Sequence, residues 1–362
     1  MHNLNNTFIS MILLLNNMHN QLDLHDLESN LETMKKSIIN SFSNSYFCKD
    51  YKDLIENKKL VFVDDEETIP IQNWGIHSEK YANLKLNRIN LIESEKLVFG
   101  IDSSCIKIAE VEDGGLYAVK GSICISFKGK PIAHLKIGPL MFYLNEEVLH
   151  NLRFDRNIFK LILFNDEYAK KFLRVNIERY IQFWISKLVS GSIILIDGSL
   201  KSSVFENHIH NLSTIIENSV INKNSVIGIS KSSKIKILKY LSYPLIRSTL
   251  PSYVDINLII KSLISKTYGE HLLVKLSNNE YSNILRADVV SYNNDLNYTL
   301  GTLLYNELIN FGYPSTLSLS HHVSVFSNTE LASVKSFIKA NYSIKEITHE
   351  NARASVLGAA WR

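Results

Sequence analysis

The fold of this chain can be inferred from the stretch Leu97-Val98-Phe99-Gly100-Ile101-Asp102-Ser103-Ser104. An uninterrupted apolar run followed by a carboxylate and small residues is typical of a buried strand. Both faces of the run are apolar, so we expect this strand to lie inside a sheet. Two later stretches have the same design. Residues 192–196 precede Asp197-Gly198-Ser199, and residues 225–229 precede Ser230-Lys231.

The segments between these runs predict a mixed sheet with helices on both faces. A Gly-Gly pair at 114–115 indicates a turn, and we expect separate strands at residues 116–119 and 123–127. Residues 96–137 then form an antiparallel meander. Apolar positions in residues 164–189 recur with helical spacing and predict one long helix. Strands that alternate with helices favour the α/β class.

The N-terminal part of the chain has a different pattern. Residues 1–58 are interpreted as helical, with an amphipathic stripe that includes Leu27, Leu31 and Met34. A short strand at Val61-Phe62-Val63 and a connecting segment follow. We therefore expect an N-terminal helical extension with its connection over residues 1–92, and one α/β domain over residues 93–362.

Composition is that of an ordinary globular protein. The chain has 362 residues, 45% hydrophobic and 21% charged, which excludes disorder or a collagen-like structure for the whole chain. The net charge is only +3, but residues 201–280 contain ten Lys and Arg against five Asp and Glu, which hints at a phosphate-backbone track. Three widely spaced cysteines favour neither disulfides nor a cysteine zinc site.

No stretch near the start of the chain predicts a membrane segment. The longest apolar run there, residues 11–15, is far shorter than the roughly 18–20 residues that a membrane span needs. We expect a cytoplasmic protein without a membrane partner.

Asp102 and Asp197 are the first candidates for chemistry. Ligands of open sheets sit beyond the carboxyl ends of strands, so the two carboxylates meet if their strands are neighbours. Two such carboxylates repel each other unless a cation lies between them, and oxygen ligands suit Mg²⁺ or Mn²⁺. The alternative is that each aspartate only stabilises a turn or caps a helix.

Three further positions have a functional and a structural interpretation. Glu178 lies in the long helix and either faces the sheet or is a solvated helix residue. Lys231 follows a strand and either holds a phosphate or is a surface charge. Pro314 disfavours helix at Tyr313, so we expect an extended or turn conformation there. A histidine pair follows at residues 321–322, and it either binds a metal or belongs to the core.

Together these motifs resemble the NurA family of archaeal and bacterial DNA-end-processing nucleases. The resemblance covers about residues 95–330 and depends on the order and spacing of four short motifs. They are Gly100-Ile101-Asp102-Ser103-Ser104, the run from Ile194 to Leu200, the run from Val226 to Lys231, and Gly312-Tyr313-Pro314 followed by His321.

The resemblance implies an RNase H-like fold and a DNA repair function. The implied activity is that of a Mn²⁺-dependent deoxyribonuclease, with Mg²⁺ as a possible substitute. It combines 5′-to-3′ exonuclease and single-strand endonuclease action on single- and double-stranded DNA during end resection at double-strand breaks. The implied partners are a second copy of the chain in a homodimer and the hexameric translocase HerA.

The family's metal-binding residues match Asp102, Asp197 and His321. The first motif is Asp-Ser-Ser here, where Asp-Gly-Ser is commoner in the family, and this change leaves the metal assignment in place. His322 stands beside His321, so the choice of ligand between these two histidines stays open.

Three further residues match functional positions of the family, and the match of the glutamate has a competing choice. Glu178 matches the catalytic glutamate, and Glu167 is a competing choice. Lys231 matches a lysine near the phosphate. Tyr313 matches the family tyrosine and would stack on a base or contact a phosphate.

Two other classes compete with the nuclease. An actin-like or sugar-kinase-like ATPase also has strands that end in Asp-Gly or Asp-Ser turns and binds Mg²⁺, but it requires a Gly-rich adenosine motif late in the chain. Only isolated glycines, Gly301, Gly312 and Gly358, lie there. A catalytically silent DNA-binding subunit would lose no function on Asp102→Ala.

Overall fold

The structure, a computed structural model, describes residues 24–43, 59–62, 85–111, 113–151, 156–207, 209–231, 238, 241–341 and 345–346. The helices of these ranges are α1 (Leu24–Ser43), α2 (Glu146–Asn151), α3 (Arg156–Phe164), α4 (Asp166–Leu188), α5 (Leu212–Ile221), α6 (Tyr243–Ile246), α7 (Asn257–Leu263), α8 (Leu296–Asn306), α9 (Ser315–Ser324) and α10 (Asn328–Asn341). The strands are β1 (Lys59–Phe62), β2 (Leu86–Arg88), β3 (Leu97–Val111), β4 (Gly114–Phe127), β5 (Lys130–Asn145), β6 (Ile193–Asp197), β7 (Ser225–Ser230), β8 (Ser252–Asp255), β9 (Glu270–Lys275), β10 (Leu285–Val290), β11 (Ile309–Asn310), β12 (Tyr313–Pro314) and β13 (Lys345–Glu346).

One mixed sheet organises the described part of the chain. Its main order is β13-β1-β3-β6-β7-β10-β9-β8-β2, and β4 pairs with β3 on one side and β5 on the other. The pairs β3–β6 and β6–β7 are parallel, whereas β3, β4 and β5 form an antiparallel meander. The predicted mixed α/β fold is confirmed.

The meander differs from the prediction in one respect. Residues 116–119 and 123–127 were expected to be separate strands, but both belong to the single strand β4. Gly121 between them marks no turn. A Cβ atom at Gly121 would lie 2.5 Å from Cδ1 of Ile181, so the glycine lets α4 pack closely on the strand.

Helix α4 covers one face of the sheet. Its bounds agree with the predicted helix over residues 164–189, and Asn165 caps it by accepting a hydrogen bond from the Glu167 backbone N–H. Phe172, Ile177 and Ile181 of α4 are buried in the same core cluster as residues of β3 and β6.

Helix α1 adds Leu31, Met34 and Ile38 to that cluster, so residues 24–43 of the predicted helical region are helical and pack on the sheet core. The rest of the predicted helical region over residues 1–58 lies outside the described residues.

The opposite face of the sheet has its own core. Val98 and Leu195 point to this side, while their neighbours Phe99 and Ile194 belong to the α4 side, as the two-residue period of strands requires. Leu300 of α8 and Leu317 of α9 complete the second core. Helices therefore cover both faces, which explains why residues 97–101 of β3 and 193–196 of β6 are apolar on both faces.

Two strands from the first 92 residues pair within this sheet. β1 pairs with the end of β3 and with β13, and β2 pairs with β8. The division into segments 1–92 and 93–362 stays a prediction. Among the helices that the structure describes, none combines the length and the hydropathy that crossing a membrane requires.

Candidate metal centre

Asp102 lies where two neighbouring strands separate. We expected it to follow the end of its strand, and this detail is wrong, because β3 continues to Val111. What ends here is the pairing with β6, whose last partners are Ile101 and Ile196. β4 remains paired with β3 along this stretch, so Asp102 is fixed by the meander while one side of its strand opens.

Asp197 is the last residue of β6 and therefore lies beside Asp102 at the point of separation. Both of its carboxylate oxygens have partners. Oδ1 accepts a hydrogen bond from the Tyr313 hydroxyl at 3.2 Å, and Oδ2 accepts one from Lys231 Nζ at 2.9 Å. Asp197 is half-buried, whereas Asp102 is buried.

His321 reaches the two aspartates from α9. Its Nδ1 lies 2.8 Å from Asp102 Oδ2, and Ser324 Oγ, one turn further along the helix, donates to the same oxygen at 3.2 Å. The helix comes this close because Gly100 lacks a side chain. A Cβ atom at Gly100 would lie 2.8 Å from the Thr316 carbonyl oxygen.

Asp102, Asp197 and His321 each offer one ligand atom, and these atoms all lie within 4.8 Å of one another. Two carboxylates and an imidazole are a donor set that Mn²⁺ and Mg²⁺ accept, and a cation between the carboxylates would remove their repulsion. His321 has a side chain that is 49% exposed, so the centre opens to solvent. The three residues fit a divalent cation. His322 is exposed and lies outside the group, which favours His321 as the ligand.

Glu178 is buried next to this group. Ser103 Oγ donates to its Oε2 at 3.2 Å, and Gln182 Nε2 donates to its Oε1 at 3.0 Å. Burial raises the pKa of the Glu178 carboxyl to about 7, and the charge of Asp102 adds to this rise. Glu178 is therefore no solvated helix residue.

Glu167, the competing choice, lies in the first turn of α4. Its side chain is 63% exposed and pairs with Lys170. The structure does not bring Glu167 to the centre and so favours Glu178.

Lys231 and Tyr313 both donate hydrogen bonds to the Asp197 carboxylate. The Lys231 ammonium lies 5.1 Å from the centroid of the Tyr313 ring, which is buried, so the ring is not free to stack on a base. Burial and the neighbouring Asp197 raise the pKa of the Tyr313 hydroxyl, so it stays a hydrogen-bond donor. The basic residues Lys234, Lys236 and Lys239 lie outside the described residues.

Two residues that contact the centre had no role predicted from the sequence. Ser103 joins Asp102 to Glu178, since its backbone N–H donates to Asp102 Oδ1 at 2.8 Å and its hydroxyl donates to Glu178. Ser324 contacts Asp102 from α9. A helical prediction for residues 315–324 would have shown Ser324 on the same face as His321, because residues three apart are neighbours on a helix.

A mixed sheet that carries this donor set where two of its strands separate defines an α/β protein with a candidate metal centre. The chain belongs to the NurA family, since the NurA domain matches residues 96–326, more than half of its length. The family that the motifs predicted is thereby confirmed, and membership supports a nuclease.

Two solved structures are similar to the chain over most of their length. One, described as the crystal structure of the NurA nuclease from Sulfolobus solfataricus, is 15% identical with a TM-score of 0.45, and the match covers 71% of this chain and 86% of that one. Another, described as the crystal structure of NurA, is 11% identical with a TM-score of 0.43, and the match covers 71% and 90%. A search of curated proteins gave no match.

Proposed function

We propose that the chain is a metal-dependent deoxyribonuclease that hydrolyses phosphodiester bonds at the centre formed by Asp102, Asp197 and His321. The observation that carries this proposal is the convergence of their ligand atoms within 4.8 Å, from two strands and a helix that are far apart in sequence. Family membership supports the reaction class.

The finer activity belongs to the same proposal. Mn²⁺ is the proposed cofactor, with Mg²⁺ as a substitute, and DNA is the proposed substrate. We propose 5′-to-3′ exonuclease and single-strand endonuclease action in end resection, a homodimer, and cooperation with a HerA-type translocase. An RNase H-like core is supported by three antiparallel strands, β3 to β5, followed by two parallel strands, β6 and β7.

The proposed chemistry divides the work among the residues of the centre. A bound divalent cation would supply Lewis-acid polarisation of the phosphate and a water of lowered pKa. Asp102, Asp197 and His321 would hold the cation. Lys231 places its ammonium group beside Asp197, where it can stabilise the charge that develops on a phosphate.

Glu178 and Tyr313 complete the proposed chemistry. The raised pKa of Glu178 lets this buried carboxyl exchange a proton near neutral pH, next to Asp102. Tyr313 remains neutral and fixes the orientation of Asp197 through its hydroxyl.

Cleavage of end-labelled single-stranded DNA with Mn²⁺ tests this proposal. Wild-type protein is expected to degrade the DNA, and Asp102→Ala and Asp197→Ala are each expected to abolish this without loss of folded structure by circular dichroism. Asp255→Ala is the matched control, since Asp255 also ends a strand but is exposed and outside the group. Wild-type-like cleavage in both site variants refutes the site, and ATP hydrolysis without DNA cleavage would favour the ATPase.

A further inference from the structure

The first turn of α9, the helix of His321, is held by a buried glutamate. Glu307 is 4% exposed, and its Oε1 accepts hydrogen bonds from the Thr316 backbone N–H and the Ser315 hydroxyl, both at 2.9 Å. Its Oε2 accepts one from Ser126 Oγ of β4 at 2.8 Å. A carboxylate at this end satisfies backbone donors and is stabilised by the helix dipole.

The last turn of the same helix is held by a buried lysine. Lys120 of β4 is 1% exposed, and its Nζ donates to the carbonyl oxygen of Val325, the C-terminal cap of α9, at 2.7 Å. An ammonium group at this end is again the charge that the helix dipole favours.

The same ammonium group reaches the next helix. Lys120 Nζ donates to Glu330 Oε2 at 2.8 Å, and Glu330 accepts from the Ser327 backbone N–H at 3.0 Å in the capping box that begins α10. One buried lysine therefore connects the end of α9 to the start of α10.

Lys120 and Ser126, whose hydroxyl donates to Glu307, both lie on β4, the strand that pairs with the Asp102 strand. Ser122, opposite Asp102, donates to the Ser320 carbonyl oxygen at 2.6 Å in the middle of α9. Lys120, Ser122 and Ser126 are even positions of β4 and so point to one face. Strand β4 thereby fixes the position of α9 along its axis relative to Asp102.

We propose that Lys120 and Glu307 are positioning residues, which hold α9 at both ends so that His321 meets Asp102 in the geometry that a divalent cation requires. This inference rests on the proposed function. Removal of a residue that orients a metal ligand lowers the metal affinity about 10- to 100-fold. A role in stability alone would reduce the folded fraction and leave the affinity of the folded protein unchanged.

Mn²⁺ titration of the full chain, with free Mn²⁺ counted by electron paramagnetic resonance, tests the inference independently of cleavage. Lys120→Met is expected to raise the apparent Kd for Mn²⁺ about tenfold. DNA cleavage at saturating Mn²⁺ should fall less than about twofold, because the centre is complete once the cation is bound.

Glu307→Gln gives a second test in which folding is less at risk, since the amide keeps the size of the side chain and one acceptor oxygen. It removes the charge and replaces the second acceptor oxygen with an NH₂ donor. We expect it also to weaken Mn²⁺ binding. Lys136→Met is the matched control, because Lys136 pairs with the same Glu330 and forms no hydrogen bond to α9 in the described part of the chain. Its Kd should stay within about twofold of wild type.

Wild-type Mn²⁺ affinity in both Lys120→Met and Glu307→Gln overturns the inference and leaves the proposed function standing. Equal weakening by Lys136→Met and Lys120→Met overturns it as well, since the effect would then belong to the charge near Glu330. A wild-type protein that neither binds Mn²⁺ nor cleaves DNA overturns the proposed function itself.

Discussion

Replacement of His321 by alanine removes one of the three side chains that meet at the centre. Loss of a residue that only orients a metal ligand costs about 10- to 100-fold in affinity. Loss of a direct ligand should therefore weaken Mn²⁺ binding about 100-fold or more, which corresponds to roughly 2.7 kcal/mol. The His321 side chain is about half exposed to solvent, so we expect His321→Ala to cause little loss of folding stability.

His322 offers a control of the same residue type at the next position. Its ring centroid lies 6.3 Å from that of His321, and it is outside the ligand group. His322→Ala should keep Mn²⁺ affinity and DNA cleavage within about twofold of wild type, as is usual for surface substitutions. Both variants are compared by Mn²⁺ titration and by cleavage of end-labelled single-stranded DNA. Equal effects, or a larger effect of His322→Ala, would refute the assignment of His321.

Three further substitutions have distinct expected signatures. Gly100→Ala should destabilise the protein by about 1–3 kcal/mol in urea unfolding, because the new Cβ would lie 2.8 Å from the Thr316 carbonyl oxygen; unchanged stability contradicts this packing. Glu178 has its pKa raised to about 7 in the folded protein, which binds that proton more tightly than the unfolded chain does. Stability of the metal-free protein should therefore fall as pH rises from about 4.5 through about 7, and Glu178→Gln should remove this part of the fall. Identical pH slopes of unfolding free energy in the two proteins would exclude a buried, titrating Glu178. Lys231→Met should slow DNA cleavage about 100-fold, while Mn²⁺ binds more tightly because the competing ammonium group at Asp197 is gone; weaker Mn²⁺ binding would contradict the contact.

The central strands could be predicted from the sequence because their residues are apolar on both faces. The run from Leu97 to Ile101 is apolar on both faces, and this pattern is typical of a strand that is buried on both sides. Asp102 and Asp197 interrupt two such runs, so their placement side by side follows once the strands are parallel neighbours. The local sequence therefore predicts this half of the centre.

The other half depends on contacts between distant segments. Pro314 indicated the extended conformation at Tyr313, but helix α9 was not predicted, and no local signal shows that its His321 packs on Asp102. The burial of Glu178 likewise results from the packing of α4 on β3. Residues 116–119 and 123–127 were predicted to be separate strands because the sequence does not reveal that Ile181 of α4 packs against Gly121 between them.

The most direct measurement is a crystal structure of the protein soaked in Mn²⁺, with the ion located by its anomalous signal. We expect a peak bound by Asp102, Asp197 and His321 at ordinary metal–ligand distances, with Glu178 close by. A Mn²⁺ ion bound elsewhere, or no peak at these three side chains, would contradict it.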